Sequence, residues 1–360
     1  MSKLQSITVH LLEILKMKQK QKVTIYDISE KLNVSAATVS RAMNHNLKIS
    51  LKTRELVMKT AKEMNYKQNH LAQALKSGKS HNIGIIVPYI NHSFFSSVIR
   101  GIEEELTPSG YHVIICQTHE KVDNEIEQIN TLLNMQIDGI FMSVSKTTKN
   151  TDHLKKVLDE STPLIFFDRK KEIAGVSSVT LDDFKGGYLA TEHLILQGCK
   201  KIAHLAGDLN LEIYQNRYKG YLAALKAHKY EFNQDYLVET NSKVETGTSA
   251  ISQLWKLKNK PDAIFSAGDY TALGAIQELK RRKVRIPEDV CVVGFSNEPF
   301  TKYMELPITS VDQTPVNMGK MAAQVFLEQI KGSQTITIEK KVVLAPELYI
   351  RNSSNRNRSL

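Results

Sequence analysis

Short apolar runs rich in β-branched residues recur through most of this 360-residue chain, beginning at Ile83. Stretches with helical spacing separate them, and seven runs stand out: IGIIVP, YHVIICQT, GIFMSV, PLIFFD, KIAHLAG, DAIFSAG and VCVVGFS. Runs of this kind are typical of parallel strands that helices cover on both faces. These strands are too many for a single sheet, so we expect an α/β body with two doubly wound parallel-sheet subdomains. Ligands bind at the carboxyl ends of such strands, and two facing sheets would enclose a cleft.

A different pattern precedes the first of these runs. Thr24, with an acidic residue three positions later, predicts the start of one helix, and Ser35 predicts the start of a second. Ser50 predicts a third start. Three short helices at this spacing form an α-helical helix-turn-helix head over residues 23–67.

The positive charge of the chain is concentrated in its first quarter. Residues 1–82 contain 15 Lys and Arg against 5 Asp and Glu, whereas the remainder contains 33 of each, so the head region carries the entire net charge of +10. This asymmetry favours a polyanion-binding head on a neutral body, with a solvated basic extension as the alternative.

Composition and spacing divide the rest of the chain. We expect an N-terminal extension at 1–22, a hinge helix and linker at 68–82, an effector-binding and dimerisation domain at 83–352, and a polar tail at 353–360. Within the large domain, subdomain one is expected at about 83–182 and 314–332, and subdomain two at about 183–313 and 333–352.

Several classes of protein are disfavoured by what the sequence lacks. No apolar run approaches the roughly 18 residues of a membrane span, and no signal-peptide pattern is present. The three cysteines are far apart in sequence, which favours reduced thiols in a cytoplasmic protein. Neither His-Glu-x-x-His nor Cys-x-x-Cys, a P-loop or Gly-x-Ser-x-Gly occurs, so we expect no metal, no cofactor and no enzymatic activity.

A set of longer motifs resembles the lactose/galactose repressor family. In the order found in that family, the chain contains VTIYDISEKLNVSAATVSRAMN, NHLAQAL, NRYKGY, VRIPEDVCVVGFSNEP and LPITSVDQTP, and the similarity spans about residues 23–350. The resemblance implies a homodimeric transcription regulator that binds a double-stranded DNA operator. It also implies a body of periplasmic-binding-protein type, in which a small, sugar-like effector binds in the cleft and controls DNA affinity.

The resemblance places the second helix of the head in the major groove of DNA. Arg41 is then suited to pair with a guanine edge, with a phosphate contact as the alternative, while Ala36 and Ala37 offer only methyl contacts. Leu75 falls where the family inserts a leucine into the minor groove, with helix packing as the alternative. The expected DNA-binding residues are Thr24, Tyr26, Ser35, Ala36, Ala37, Thr38, Ser40, Arg41, Asn44 and Leu75.

The resemblance also implies where an effector binds. The expected effector-binding residues are Phe94, Phe95, Asp168, Arg217, Asp269, Ser296 and Asn297. The chain departs from the family at three cleft positions. Ser296 replaces a frequent aspartate, Gly268 stands where several members have asparagine, and Ser242 occupies a place often held by an aromatic residue.

These departures leave alternatives open. The run Arg169-Lys170-Lys171 leaves room for a phosphorylated or acidic sugar, although solvated surface charge explains the run as well. Repression is favoured, because the family is mostly repressive. An activator, an effector-independent regulator and, from another class, a solute-binding module without a regulatory role remain alternatives. The tail lacks heptad leucines, so we expect a dimer and no tetramer bundle.

Overall fold

The computed structural model describes residues 23–44, 46–67, 79–331 and 339–356. The chain divides into two compact units, the head (Met1–Gly78) and the body (Lys79–Leu360). In the described residues, no helix is both long enough and apolar enough to cross a membrane.

The head contains three helices. They are α1 (Ile25–Leu32), α2 (Ala36–Met43) and α3 (Leu51–Glu63). Thr24, Ser35 and Ser50 are the N-caps of these helices, and each hydroxyl accepts a hydrogen bond from the backbone N–H three residues later. The three predicted helix starts are therefore confirmed. The head core consists of Ile28, Val39, Ala42, Val57 and Ala61.

The first sheet of the body, sheet A, has six parallel strands. They are β1 (Asn82–Val87), β2 (His112–Gln117), β3 (Gly139–Met142), β4 (Leu164–Phe167), β5 (Ser177–Leu181) and β11 (Lys341–Leu344), in the order β11-β5-β4-β3-β1-β2. The helices of this part are α4 (Ser93–Leu106), α5 (Val122–Asn134), α6 (Asp152–Asp159) and α12 (Pro315–Lys331). Sheet A and these helices form subdomain one.

The second sheet of the body, sheet B, also has six strands, and they follow an equivalent order. Its strands are β6 (Ile202–Ala206), β7 (Leu237–Glu239), β8 (Ala263–Ser266), β9 (Cys291–Ser296), β10 (Thr309–Asp312) and β12 (Glu347–Tyr349), in the order β12-β10-β9-β8-β6-β7. Strand β12 is antiparallel to β10, and the other strands are parallel. The helices of subdomain two are α7 (Asp183–Leu196), α8 (Glu212–Ala227), α9 (Val244–Leu254), α10 (Asp269–Arg281) and α11 (Phe300–Tyr303).

The predicted fold class is confirmed, and the seven apolar runs all form strands. Five further strands, β5, β7, β10, β11 and β12, were not predicted. They are short, and β5, β7, β11 and β12 carry polar side chains or lie at or near a sheet edge, so the uniform apolar signal of a central strand is missing.

Two predicted boundaries are wrong. Residues 333–352 were assigned to subdomain two, but β11 pairs with β5 in sheet A, because the chain returns to subdomain one before it enters β12. Residues 353–360 were assigned to a polar tail, but Ser353 and Ser354 are fully buried. The Ser353 hydroxyl donates to the carbonyl of Val292, and the Ser354 hydroxyl donates to the hydroxyl of Thr309, so their polar atoms are satisfied inside the body.

In each sheet, the strand order reverses next to the first strand of its subdomain. The reversal lies between β1 and β3 in sheet A and between β6 and β8 in sheet B. A crevice forms outside the carboxyl ends of the strands at such a point. The largest apolar core contains residues of both subdomains, including Phe95 and Phe295, so the two sheets belong to one packed body.

Candidate DNA-binding head and effector cleft

The leading edge of α2 is accessible in the head. Ala37 and Arg41 are exposed, and Ala36 is half-buried, while Val39 and Ala42 fill the core behind them. A helix that buries one face and leaves an arginine and two methyl groups on the other can approach a DNA groove closely.

Several of the predicted DNA-binding side chains also shape the head itself. The Ser35 hydroxyl accepts the Thr38 N–H at 3.1 Å and pairs with the Thr38 hydroxyl at 2.9 Å. The Asn44 amide donates to the carbonyl of Ser40 at 2.8 Å. Thr24 shares a capping box with the acidic residue three positions later, and Tyr26 is exposed. Leu75 lies outside the described residues.

In the body, the carboxyl ends of the two sheets face each other. The Ser93 hydroxyl, just after β1, donates to the Glu298 carboxylate, just after β9. Seven non-glycine residues with positive φ lie at or near these strand ends; they are His119, Glu120, Asp168, Ser242, Ser296, Asn297 and Thr314. Such conformations are costly and persist at sites that the surrounding structure holds in place. We call the space between these strand ends the cleft.

Arg217 is held rigidly in the wall of the cleft. Its Nε donates to Asp183 at 2.7 Å, Nη1 to the carbonyl of Ala267 at 2.8 Å and Nη2 to Gln313 at 3.2 Å. The guanidinium carbon lies 3.7 Å from the centre of the Phe295 ring. Because burial outweighs the nearby guanidinium, the pKa of Asp183 is raised to about 6. The arginine is thereby oriented before any ligand arrives.

A glycine allows this arrangement. A Cβ on Gly187 of α7 would lie 2.1 Å from the backbone oxygen of Arg217 on α8, so the helices could not pack this closely with any larger residue. This close packing places Arg217 beside Asp183, at the start of α7.

Asp168 lies on the opposite wall, directly after β4. Its carboxylate accepts a hydrogen bond from Ser143 at 3.1 Å, and burial raises its pKa. The neighbouring Arg169 donates to both carboxylate oxygens of Glu120, at 2.8 and 3.0 Å. The Nε of Arg169 is buried, forms no hydrogen bond and lies 3.8 Å from Asp168. This wall therefore presents a carboxylate and a partly satisfied guanidinium side by side.

The N-cap of α10 is Gly268, which makes no side-chain bond, and Asp269 is the first residue of the helix. Its carboxylate accepts the Ser310 hydroxyl at 2.7 Å and the Glu298 N–H at 2.8 Å. A Cβ on Gly294 would lie 2.1 Å from an Asp269 oxygen, so this carboxylate fits only beneath a glycine. Asp269 is 1% exposed, and burial raises its pKa to about 7.

Ser296 ends β9 and Asn297 follows it, with φ of 110° and 51°. The Ser296 hydroxyl accepts a hydrogen bond from Gln313 at 2.8 Å. The Asn297 amide donates to Asp312 at 2.8 Å, and its oxygen accepts a bond from Arg351. Both side chains are thus held in place, Ser296 by Gln313 directly after β10 and Asn297 by Asp312 of β10 and by Arg351.

Phe94 and Phe95 begin α4 and both are buried. Their ring centres lie 5.1 Å apart in an edge-to-face arrangement, and Phe95 also contacts Phe167 edge-on at 6.5 Å. Both rings belong to the large apolar core of the body, next to the β1 end of the cleft.

Comparison with known families identifies the architecture. Residues 80–351 match the family described as periplasmic binding proteins and sugar binding domain of LacI family. Residues 24–69 match the bacterial regulatory proteins of the lacI family. The chain belongs to the LacI family. It is a DNA-binding transcriptional regulator with a body of the ligand-binding type.

Relatives and solved structures of LacI-family regulators are similar over nearly the whole chain. The HTH-type transcriptional repressor PurR of Vibrio parahaemolyticus is 32% identical over 333 residues, which cover 92% of this chain and 98% of that protein. The regulator DegA of Bacillus subtilis is 30% identical over 335 residues, covering 93% of this chain and 98% of that protein.

Among solved structures, a complex of the transcriptional regulator CelR with cellobiose has a TM-score of 0.69 and 26% identity, covering 92% of this chain and 100% of that one. A lac repressor dimer bound to operator and the anti-inducer ONPF has a TM-score of 0.82 and 24% identity, covering 93% of this chain and 99% of that one. At 24% identity, the similarity to the lac repressor is a similarity of fold alone.

The structure shows what surrounds Ser242 and Gly268, two of the three positions at which the chain departs from the LacI-family pattern. Ser242 has φ of 62°, and its hydroxyl lies 3.0 Å from that of Tyr214. A Cβ on Gly268 would lie 3.9 Å from the Ser242 hydroxyl, so space is available there. Tyr214 also lies beside the Arg217 guanidinium, at 5.1 Å from the ring centre. An aromatic side chain is therefore present in this wall, supplied by α8.

The structure adds residues to the cleft of this LacI-family body that sequence reasoning did not include. They are Ser93, Glu120, Tyr214, Glu298, Asp312, Gln313 and Arg351. Glu120 and Glu298 each lie two residues after one of the apolar runs, and this position is the signal in the sequence that could have identified them. In the described residues, no group of three or more His, Cys, Asp and Glu side chains is arranged to hold a metal ion.

Proposed function

We propose that this regulator is a repressor that binds a palindromic operator as a homodimer, with a neutral polyol as its effector. The observation that carries the effector proposal is the rigid Arg217, which is held in the cleft wall by Asp183, Ala267 and Gln313. A fixed guanidinium beside an aromatic ring suits adjacent hydroxyl groups. Repression is supported by the repressors among the relatives.

The charges of the cleft favour a neutral effector over a phosphorylated or acidic sugar. Arg169 and Arg217 both face carboxylates already, and Lys170 of the basic run pairs with Glu172. The buried carboxylates at the strand ends outnumber the guanidinium groups; they belong to Glu120, Asp168, Asp183, Asp269 and Glu298. An added anion would meet this acidic excess in a site of low dielectric. Cellobiose bound to CelR and ribose bound to an Enterococcus faecium regulator are neutral sugars.

Calorimetry on the full chain tests the effector. We compare cellobiose, ribose and ribose 5-phosphate, with Arg217→Met as a variant that keeps much of the side-chain volume. A neutral sugar that binds the wild type and fails to bind Arg217→Met supports the proposal. Binding of ribose 5-phosphate with no binding of either neutral sugar contradicts the charge argument. Tight operator binding without response to any sugar favours the effector-independent alternative.

The operator-reading role of the head rests on the exposed edge of α2. Arg41 projects from the last turn and is the one predicted contact on α2 able to form two parallel bonds with guanine. Binding-site selection with Arg41→Ala is expected to lose preference at one position in each half-site. An unchanged motif means that Arg41 contacts phosphate. Failure of the wild type to select any site favours the solute-binding module.

We propose that a second copy of the chain covers the edge of sheet A at β2. Ile115 on this edge strand is 47% exposed, and Ile126 on α5 adds a further exposed apolar side chain. An uncovered apolar edge strand is a ready site for pairing with another chain.

Sedimentation velocity is expected to show a dimer for the wild type and dissociation for Ile115→Asp. The matched control is Val343→Asp on β11, the opposite edge, where the side chain is 62% exposed. Dissociation by the control alone would place the interface elsewhere.

We further propose a cytoplasmic location and no catalytic role for this chain, since its relatives are DNA-binding regulators.

A further inference from the structure

A hydrogen bond joins the two subdomains directly across the mouth of the cleft. Its donor is the hydroxyl of Ser93 in the first turn of α4, and its acceptor is the Glu298 carboxylate in the loop after β9. The residues are 205 positions apart in sequence. Glu298 is 7% exposed, so the bond is largely shielded from water.

The Glu298 end of this bond is anchored within subdomain two. The Glu298 N–H donates to Asp269 at 2.8 Å, and its carbonyl accepts the Thr301 hydroxyl at 2.7 Å. The two preceding residues hold positive φ and are bonded to β10 or the segment that follows it. A carboxylate on such a fixed loop gives up little conformational freedom when it accepts a bond.

The Ser93 end offers a favourable place for a carboxylate. The residue before it, His92, is the N-cap of α4 and makes no side-chain cap bond. The first turn of a helix has unpaired N–H groups and a partial positive charge, which stabilise a nearby anion. Glu298 therefore supplies, from the opposite subdomain, the acidic partner that the start of α4 lacks in its own sequence.

We propose that the bond between Ser93 and Glu298 is a latch that closes the cleft without an effector. An effector that enters must either break the bond or fit beside it, so the latch sets part of the free energy of the effector response. The latch acts on any effector that enters the cleft, and it closes the cleft equally in an effector-independent regulator.

Hydroxyl-radical footprinting of the full chain without ligand tests the latch, because it reports the solvent access of individual side chains. We compare wild type, Glu298→Ala and Ser93→Ala. Removing a hydrogen bond to a charged group is expected to shift the closed-to-open ratio about tenfold. Modification of Phe94 and Tyr214, which lie in opposite walls, is then expected to rise in both variants.

Three controls make the result decisive. Glu305→Ala removes an exposed glutamate and is expected to leave both walls unchanged, and Tyr303, 85% exposed, calibrates radical dose. Glu298→Gln keeps an acceptor oxygen and is expected to restore protection in part. Unchanged modification of both walls in Ser93→Ala and Glu298→Ala overturns the proposal. A rise confined to Tyr214 in Glu298→Ala also overturns it, since that pattern means local loosening of subdomain two.

Discussion

Replacing Asp269 with asparagine is expected to stabilise the body at high pH and to leave it unchanged at low pH. Asparagine keeps the shape of the side chain, and its oxygen can accept the Glu298 N–H while its amide N–H donates to the Ser310 hydroxyl. What it removes is the charge. Burial raises the pKa of Asp269 from its ordinary value of 3.8 to about 7, so ionisation is less favourable in the folded chain than in the unfolded one.

The sign and the size of the effect follow from this difference. A group whose pKa is raised by folding contributes stability fully below about pH 4, and the contribution is lost as the pH rises through about 7. Each pH unit between the two pKa values is worth about 1.4 kcal/mol, which gives an upper value of about 4 kcal/mol above pH 7. The difference in unfolding free energy between Asp269→Asn and wild type is therefore expected to grow steadily between these limits.

Urea titrations at several pH values measure this difference. The chain has a single tryptophan, Trp255, which packs against the core of sheet B, so its fluorescence follows unfolding of subdomain two. Glu305→Gln is a control in which the change in stability is expected to have the opposite sign. Lys280 lowers the pKa of this exposed glutamate, so the variant is expected to lose a little stability above pH 5. A difference for Asp269→Asn that stays constant from pH 4 to pH 8 would refute the reasoning.

Three further outcomes are expected from the same structure. Arg217→Met leaves the Asp183 carboxylate buried without its partner and is expected to destabilise the body by about 3–5 kcal/mol; adding Asp183→Asn is expected to recover much of the loss, and strict additivity in urea titrations would contradict the pairing. Ser35→Ala removes the N-cap of α2 and is expected to destabilise the head by about 1 kcal/mol, measured by circular dichroism; Ser35→Asp, which keeps a cap, is the control. Leu75→Ala is expected to weaken operator binding in gel shifts while the melting temperature stays the same, and unchanged affinity would exclude a minor-groove wedge.

The elements of this protein that could be predicted from the sequence are those whose interactions are local. Thr24, Ser35 and Ser50 each bond within three residues, so the helix starts are visible in the sequence. The central strands are buried on both faces and read as apolar runs. Ile85, for example, has no exposed surface. Strand β5, with its serines and threonine, gives no such signal, because its polar groups are satisfied by partners far along the chain.

The cleft was only partly predictable for the same reason. Its location follows from the strand ends, and Arg217 and Asp168 could be named from motifs. The partners of these residues could not. Asp269, for example, lies beneath the loop of Glu298, because Gly294 on a neighbouring strand leaves the space.

The sequence by itself determined the helix-turn-helix head, its positive charge and the two wound sheets, since caps, charge and burial periodicity are properties of neighbouring residues. The tertiary structure alone decided which charges are neutralised and which residues join the subdomains. Arg169 pairs with Glu120, and Ser93 meets Glu298, only because the folded sheets bring distant strand ends together. Packing sets such pairings, since a buried charge or hydroxyl requires whichever partner the fold places within hydrogen-bond distance.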